Sequence, residues 1–347
     1  MSLASFIEAM PKAELHVHLG GSIQPETLLT LAKRNQVPLP ATSVEEFRSW
    51  YEFTDFPHFI QVYMAVQQCV CSADDVELIT REFLIGQATQ GIRYTELTYG
   101  GFRLATVNKV PFAEQLAAIN RAKDWALAEL GVTLAIIVDI GRILEPEDGL
   151  QIARWAVDGM EHGVVGLGLG GTEDGHPPAK FRKAFELARA AGLPSVPHAG
   201  EVVGPESVWA ALKELNPARI EHGVRCLEDK TLVAELRDRQ LPLDVCPGSN
   251  VLLGVASSLA DHPLPRMLDE GLLVTLNSDD PTMFNTSLTD EYLTCAHAFG
   301  WNADQIERIG LSAVRASLLP EAPRLHLEEE FIGDFARLRR EHLAGDE

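Results

Sequence analysis

The chain has 347 residues, of which 46% are hydrophobic and 23% charged, a composition typical of a folded globular protein. Its 50 acidic and 29 basic residues give a formal charge of -21, which argues against nucleic acid as a partner because a polyanion would be repelled. No apolar run approaches the roughly 20 residues that a membrane-spanning helix needs. The sequence therefore favours a protein that acts on a small molecule.

The N-terminal residues and the cysteines indicate the compartment. Residues 1–8 lack the basic region and the continuous apolar core of a secretory signal, so we expect a cytoplasmic protein. The five cysteines are odd in number and include no CxxC pair, which favours reduced thiols over a disulfide framework.

The chain begins with a predicted helix over residues 1–12 that stops at Pro11, and a strand over 13–19 follows. From there to about residue 89 the pattern is mainly helical. The aromatic-rich part of this segment, residues 51–68, has two interpretations that the sequence leaves open. It either packs a helical excursion, or it forms a wall over the mouth of an active site, as long insertions after a strand often do.

After this segment, seven β-like runs alternate with amphipathic helical stretches. The runs are 92–99, 132–140, 164–171, 193–201, 219–225, 241–245 and 272–278, and the helical stretches are 112–130, 146–162, 180–191, 205–215, 229–239 and 259–270. With the first strand this predicts a (β/α)8 TIM barrel, built as a single domain over 1–347, with additional helices after strand 1 and over 288–347. A doubly wound open sheet is the alternative, but it would gather ligands at one switch point.

The pair His16 and His18 lies in the first strand, in the stretch ELHVHLGGS. Residues two apart on a strand point to the same face, so both imidazoles can converge on one metal ion. The pair by itself also fits a half-buried strand. Polar residues at the ends of later strands favour the metal interpretation, because the carboxyl ends of barrel strands meet at one face.

His198, in VPHAGE, and Asp279, in NSDDP, complete with the first two histidines a set of four nitrogen and oxygen ligands. Such a set suits a catalytic zinc that keeps a position for water, whose pKa the metal lowers to about 7. The predicted fourth strand, 164–171, contains no lysine or carboxylate that could bridge a second ion. We therefore expect one zinc ion per chain.

Glu201 follows His198 by three residues, where it can lie near the metal without binding it. A glutamic acid in this position can give a proton to a substrate nitrogen, although an acidic residue also favours a helix N-terminus without any catalytic role. His222, at the end of the sixth strand, can orient water and hold its proton. Asp280, beside Asp279, can accept a hydrogen bond from substrate or water.

Two further segments are assigned no catalytic group. The fourth strand ends in the glycine-rich run 166–171, where absent side chains would let a flat ring lie against the backbone. No GK[ST] motif follows, so this is not a phosphate loop. Ser249 and Asn250, after the seventh strand, are expected only to support neighbouring loops.

Five motifs occur in the order LHVHLGGS, VPHAGE, IEHGVR, VCPGSN and NSDDP, and together they resemble the adenosine deaminase family of the amidohydrolase superfamily. The resemblance covers about residues 11 to 330. It implies hydrolytic attack at C6 of an adenine ring with loss of ammonia. It implies the following roles: zinc ligands His16, His18, His198 and Asp279; proton donor to purine N1 Glu201; base that activates water His222; partner of purine N7 Asp280; backbone contact to N3 Gly171.

Gly20 departs from the family pattern. In the family that this chain resembles, adenosine deaminases usually carry an aspartate at this position, which holds the ribose 5'-hydroxyl. The adenine deaminase branch usually carries a glutamate there. A site without this partner loses part of its preference for the sugar hydroxyl and gains volume, which favours a substrate substituted at the 5' position.

The stretch FTDFPHFIQVY, residues 53–63, and the small residues after HVH resemble the aminodeoxyfutalosine deaminase branch, which implies an adenine nucleoside with a carboxyphenyl ketone at its 5' carbon and a place in menaquinone biosynthesis. Under this hypothesis aromatic side chains enclose the aryl group and an arginine binds its carboxylate. The candidates are Phe53, Phe56 and Phe59 for the wall, and Arg103 or Arg142 for the carboxylate.

Other readings stay open at this point. The substrate could be adenosine or deoxyadenosine, or another 5'-substituted adenosine such as methylthioadenosine. A different zinc hydrolase, acting on a cyclic amide or ester, is a second class, against which Glu201 and the absent bridging lysine count. A non-catalytic nucleoside-binding protein is a third, against which the complete set of polar site residues counts.

Overall fold

The computed structural model describes residues 2–343. Within them, eight parallel strands pair in sequence order and form a nearly closed barrel. The strands are β1 (Lys12–His18), β2 (Ile92–Tyr99), β3 (Thr133–Gly141), β4 (Val164–Gly170), β5 (Ser195–Ala199), β6 (Ile220–His222), β7 (Leu243–Val245) and β8 (Val274–Leu276). The predicted TIM barrel is confirmed, and the doubly wound open sheet is excluded.

Helices surround the barrel and extend it at the predicted places. In chain order the α-helices of the described residues are α1 (Leu3–Ala9), α2 (Pro25–Arg34), α3 (Val44–Trp50), α4 (Phe56–Gln68), α5 (Ala73–Thr89), α6 (Phe102–Thr106), α7 (Phe112–Leu130), α8 (Pro146–Asp158), α9 (Arg182–Ala190), α10 (Pro205–Leu215), α11 (Lys230–Arg239), α12 (Pro247–Leu252), α13 (Leu264–Asp269), α14 (Leu288–Phe299), α15 (Ala303–Ala316) and α16 (Glu321–His342). None of them is both long and apolar enough to cross a membrane. The predicted terminal helices also included residues 1 and 344–347, which lie outside the described residues.

The strands β6, β7 and β8 have three residues each and are shorter than predicted. The predicted runs for β6 and β8 continued through residues 223–225 and 277–278, where the strand has ended, and the run for β7 began two residues early, at 241. The backbone turns sharply at His222, with φ 67°, and at Asp279, with φ 64°. This left-handed region is uncommon for residues that carry a side chain and is often found at functional sites.

Side chains and a short backbone bridge close the barrel between β1 and β8. The backbone N–H of Asp279 donates to the carbonyl of His16 at 3.1 Å, and the N–H of His18 donates to the carbonyl of Asp279 at 2.8 Å. The Asn277 side-chain oxygen accepts from the N–H groups of Leu15 and His16 at 2.9 and 3.1 Å. The closure therefore places Asp279 directly beside both histidines of β1.

Below the site, the barrel interior holds a buried ion network. Arg219 is fully buried, and its guanidinium lies 2.7 Å from the Glu96 carboxylate and contacts that of Asp244. Pairing offsets the desolvation of these charges, whereas removing one partner would leave an uncompensated charge. The main-chain oxygen of Asp244 is in turn the hydrogen-bond partner of His16, at 3.2 Å. The network thus supports the strand ends that carry the site.

Helix α4 forms a wall beside the turn that follows β1. It starts at a cap in which Asp55 accepts from the N–H of His58 at 2.8 Å, with Pro57 in the first turn. Aromatic and aliphatic side chains from this segment pack with others near β7 and β8, and this cluster includes Phe59, Val62, Leu253, Met283 and Phe284.

Candidate active site

Four side chains from three separate parts of the barrel converge at the carboxyl ends of the strands. His16 and His18 come from β1, His198 from β5, and Asp279 from the turn after β8. One ligand atom of each lies within 4.8 Å of those of the others. Nε2 of His18 is 3.3 Å from Nε2 of His198, and Oδ1 of Asp279 is 3.4 Å from Nε2 of both His16 and His18.

These distances fit a single zinc ion. Four ligands arranged tetrahedrally at about 2.0–2.1 Å from zinc stand about 3.3–3.4 Å apart. The Nδ1–H of His16 is satisfied by the carbonyl of Asp244, which leaves Nε2 buried, with no hydrogen-bond partner in residues 2–343, and able to bind a cation. Burial lowers the pKa of His18 to about 4 and that of His198 to about 3, so both are neutral at pH 7, as metal binding requires.

Glu201 lies in the turn between β5 and α10 and is only 3% exposed. Burial, reinforced by the charges of Asp279 and Glu173, raises the pKa of its carboxyl well above the usual range. The group is therefore held in the protonated form in the absence of other ligands. A buried, protonated carboxyl facing a cavity can donate a proton to a substrate nitrogen.

Glu173 holds the turn that carries Glu201, and sequence reasoning missed it. One oxygen of its carboxylate accepts from the N–H of Gly200 at 2.8 Å and from the Ser207 hydroxyl at 2.7 Å. The other accepts from the next three N–H groups, those of Glu201, Val202 and Val203, at 3.2, 3.0 and 2.8 Å. A single carboxylate thus fixes the backbone around the candidate acid. Because Glu173 lies 27 residues before Gly200 in the chain, this role is visible only in the folded structure.

His222 lies between the candidate acid and the candidate ligand. Its Nε2 is 3.7 Å from Oε1 of Glu201 and 3.8 Å from Oδ2 of Asp279. Burial and the nearby His16 hold the pKa of His222 well below its usual value, so it is neutral and can take up a proton. The structure therefore brings the predicted acid, base and ligand together.

The segment after β7 supports this group more closely than the sequence indicated. Ser249 donates its hydroxyl to Oδ2 of Asp279 at 2.7 Å. The Asn250 amide lies 3.4 Å from Nδ1 of His222, and its oxygen is 3.1 Å from Nε2 of the buried His262. The histidine at 262 lay outside every sequence motif, so its place behind the site became visible only in the fold.

Asp280 is buried beside Asp279, and its carboxyl lies over a glycine. A Cβ built on Gly21 would stand 1.8 Å from Oδ1 of Asp280, so the glycine provides the space that this carboxyl occupies. Burial, followed by the charge of Asp279, raises the pKa of Asp280 well above its usual range. In Asp279 the effect of burial is outweighed by the imidazoles of His16, His222 and His18 together, and its pKa lies well below the usual range. The adjacent acids are thus suited to different tasks.

A cavity opens from these residues toward α4 and the loops after β2 and β3. Its wall includes Phe56 and Phe59, which favours the interpretation of this segment as a wall over the site mouth. Phe53 lies behind Phe59 and is not among the lining residues. Arg142 is buried and donates to the carbonyls of His176 and His198 at 2.8 and 2.6 Å.

Arg103 also borders the cavity, and it braces the end of α4. Its guanidinium donates to Asn108 at 2.7 Å and to the carbonyl of Gln68 at 3.0 Å. Both arginines named as candidates for a substrate carboxylate therefore already bind protein oxygens.

The glycine-rich fourth strand differs in part from the prediction that a ring lies along its backbone. A Cβ at Gly168 or Gly170 would meet the Asp139 carboxylate at 2.7 or 2.8 Å, so this side chain covers that part of the strand. Gly171, with φ 91°, remains open and lines the cavity. Asp139 was missed because its carboxylate reaches the site from β3, where nothing in the local pattern marks it.

The chain is similar in sequence and in structure to known deaminases. The chain is 39% identical over 330 residues to aminodeoxyfutalosine deaminase of Streptomyces avermitilis, covering 94% of this chain and 92% of the relative. The structure of adenine deaminase from Arthrobacter aurescens superimposes with a TM-score of 0.89 at 34% identity, covering 94% and 99% of the two chains. Fold, site and relatives are those of the hydrolytic deaminases of the amidohydrolase superfamily that act on adenine-like substrates.

The family follows from a second comparison. The model of the adenosine deaminase family matches residues 11–333, and the chain belongs to this family. An amidohydrolase from Burkholderia ambifaria, solved with bound zinc, has a TM-score of 0.90 at 25% identity, with 97% and 94% of the chains covered. Deaminases of this superfamily depend on a metal ion, and the four converging side chains form a group that could hold one.

Proposed function

We propose that this protein is a zinc-dependent deaminase that replaces the 6-amino group of an adenine nucleoside with oxygen, and that its substrate is aminodeoxyfutalosine. The observation that carries the proposal is the convergence of three Nε2 atoms and one carboxylate oxygen, at tetrahedral distances, beside the buried Glu201. His16, His18, His198 and Asp279 would hold one zinc ion. When bound, zinc acts as a Lewis acid and makes water a nucleophile near neutral pH.

Two residues beside the proposed ion, His222 and Glu201, would carry out the proton transfers. His222, neutral and 3.8 Å from Asp279, would accept the proton of the attacking water. Glu201, whose pKa is raised by burial, would protonate N1 of the purine, and this turns C6 into a better electrophile. His222 would then pass its proton to the amino group as the C6–N bond breaks, and the deprotonated Glu201 would take up the proton of the C6 hydroxyl, which gives ammonia and a 6-oxo ring protonated at N1.

The purine would be oriented by polar groups on opposite sides of the cavity. Asp280, protonated because burial and Asp279 raise its pKa, would donate to N7. The backbone of Gly171, at the open end of β4, would contact N3. Phe56 and Phe59 would enclose the group attached at the 5' carbon.

The substrate is supported by the absence of an acidic side chain at position 20 and by the similarity to an aminodeoxyfutalosine deaminase. Adenine is the most important competing substrate to test, because the adenine deaminase of Arthrobacter aurescens is 34% identical to this chain. We therefore propose to measure ammonia release by the zinc-loaded protein with aminodeoxyfutalosine, adenosine and adenine. The largest kcat/KM is expected for aminodeoxyfutalosine, and a larger value for either of the others would refute this choice of substrate.

Metal content provides a separate test. One zinc per chain, lost together with activity on chelation and restored by zinc, is expected. Two ions per chain, or full activity without metal, would contradict the mononuclear site.

A further inference from the structure

Gln67 occupies the space that a side chain at position 20 would need. A Cβ built on Gly20 would stand 1.5 Å from Nε2 of Gln67 and 2.7 Å from its Cδ. Gly20 lies two residues after His18, at the start of the turn that follows β1, whereas Gln67 lies in the last turn of α4. A side chain at position 20 and Gln67 in its present position would therefore exclude each other.

The carboxamide of Gln67 borders the same cavity as the candidate metal ligands. Its Nε2 is buried and has no hydrogen-bond partner among the described residues. A buried donor without a partner destabilises its site by about 1–3 kcal/mol, so a ligand that supplies an acceptor there is favoured over one that does not. Free adenine bound at the reacting centre has no acceptor beyond its ring nitrogens to do this.

The rest of the wall indicates what lies beyond that acceptor. Phe56, Ile60 and Tyr63 precede Gln67 on α4 at helical spacing and line the cavity with it. The cavity edge also bears Met64 and Ile143, which are 39% and 56% exposed and add apolar surface to it. This wall of the cavity therefore consists of one polar group, the Gln67 amide, and a larger apolar surface that extends to the cavity edge.

We propose that Gln67 determines the specificity of the site: its neutral amide, seated over Gly20, binds an oxygen of the group that extends from the purine and thereby selects N9-substituted adenines over adenine. The inference rests on the proposed function for the position of the ring, and it adds the residue that recognises the substituent. Tyr63, whose hydroxyl would be 2.9 Å from a Cβ at Gly20, borders the same space from the preceding turn.

The test compares Gln67→Ala with Gln61→Ala, an exposed glutamine on the same helix. For Gln67→Ala we expect kcat/KM for adenosine and aminodeoxyfutalosine to fall about 10- to 100-fold, and that for adenine to change less than about threefold. The control variant should change none of them. Equal losses on all three substrates would overturn the proposal, because they would indicate a general structural role.

Gly20→Ala tests the same pair from the other side. The new methyl group displaces the end of a flexible side chain, so the variant should fold and lose nucleoside turnover as Gln67→Ala does. Because both changes remove one interaction, the double variant should be no worse than the more severe single variant. Losses that multiply would overturn the proposal.

Binding of the products separates this inference from the proposed function. Calorimetric titration should show that Gln67→Ala weakens inosine binding about 10- to 100-fold and leaves hypoxanthine binding unchanged. If the unaltered protein deaminates none of the adenines yet shows this pattern, the proposed reaction fails and the specificity role stands. If it deaminates them and inosine binding is unaffected by the substitution, the specificity role fails alone.

Discussion

The Glu221 carboxylate lies 2.6 Å from Nδ1 of His198, on the opposite side of the imidazole from the nitrogen that faces His18. Both partners are buried. A carboxylate in this position keeps the proton on Nδ1, so that Nε2 presents its lone pair to a metal. Glu221 is the residue directly before His222, and one short strand thus supplies both a ligand support and a candidate base.

Glu221→Gln is expected to weaken zinc binding by about 10- to 100-fold, because the amide no longer fixes the tautomer and orientation of His198. The measurement is competition with a chelator of known affinity. Glu161→Gln, at an exposed position, serves as the control. Unchanged affinity in both variants would show that the contact does not orient the ligand.

Glu201→Gln is expected to retain zinc and lower kcat by about 10²- to 10⁴-fold, because an amide of nearly the same shape cannot transfer a proton. Metal analysis and ammonia release should be made on the same sample. The exposed Glu186 on α9 offers a matched Glu→Gln control. Turnover close to that of the unaltered protein would remove Glu201 from the mechanism.

Glu173→Gln tests the support of the catalytic turn. The carboxylate accepts from four backbone N–H groups and the Ser207 hydroxyl, and an amide would turn a donor toward some of them. We expect faster hydrogen exchange at residues 200–203, lower kcat, and a loss of about 1–3 kcal/mol in the free energy of unfolding. Asp174→Asn, the exposed neighbour, should change none of these. Unaltered exchange in Glu173→Gln would contradict the role.

The buried carboxyl of Glu291 is expected to make the stability of the protein depend on pH. Burial in α14 raises the pKa of its carboxyl from 4.5 to about 7, although it accepts hydrogen bonds from Gly248 and Thr286. Between these two pH values the folded state binds more protons than the unfolded state. Stability from this group is therefore complete below pH 4.5 and is lost as pH rises through 7, by about 3 kcal/mol.

Urea unfolding of the unaltered protein and Glu291→Gln at pH 5 and pH 8 measures this effect. The glutamine variant should lose less stability than the unaltered protein between the two pH values, by about the amount given by linkage. Glu129→Gln, exposed on α7, should retain the original slope. Identical slopes for all three proteins would show that Glu291 does not titrate in this range.

The barrel could be predicted because its information is local and repeated. Alternation of apolar runs with amphipathic stretches depends on the two-residue period of strands and the 3.6-residue period of helices, which the chain displays without reference to distant contacts. The predicted bounds 112–130 and 205–215 coincide with α7 and α10, where proline and apolar periodicity mark the ends. The end of β6 was overestimated because the left-handed turn at His222 has no local sequence signal.

The sequence by itself also determined the candidate ligands, since two histidines on one strand face and polar residues at later strand ends must meet once the barrel closes. Only the tertiary structure decided which other side chains support these ligands and the cavity beside them. Glu173 reaches a turn 27 residues later, and the Gln67 amide lies over Gly20, 47 positions earlier in the chain. Such pairs depend on how separate elements pack against one another, and neither helical nor strand periodicity specifies that packing.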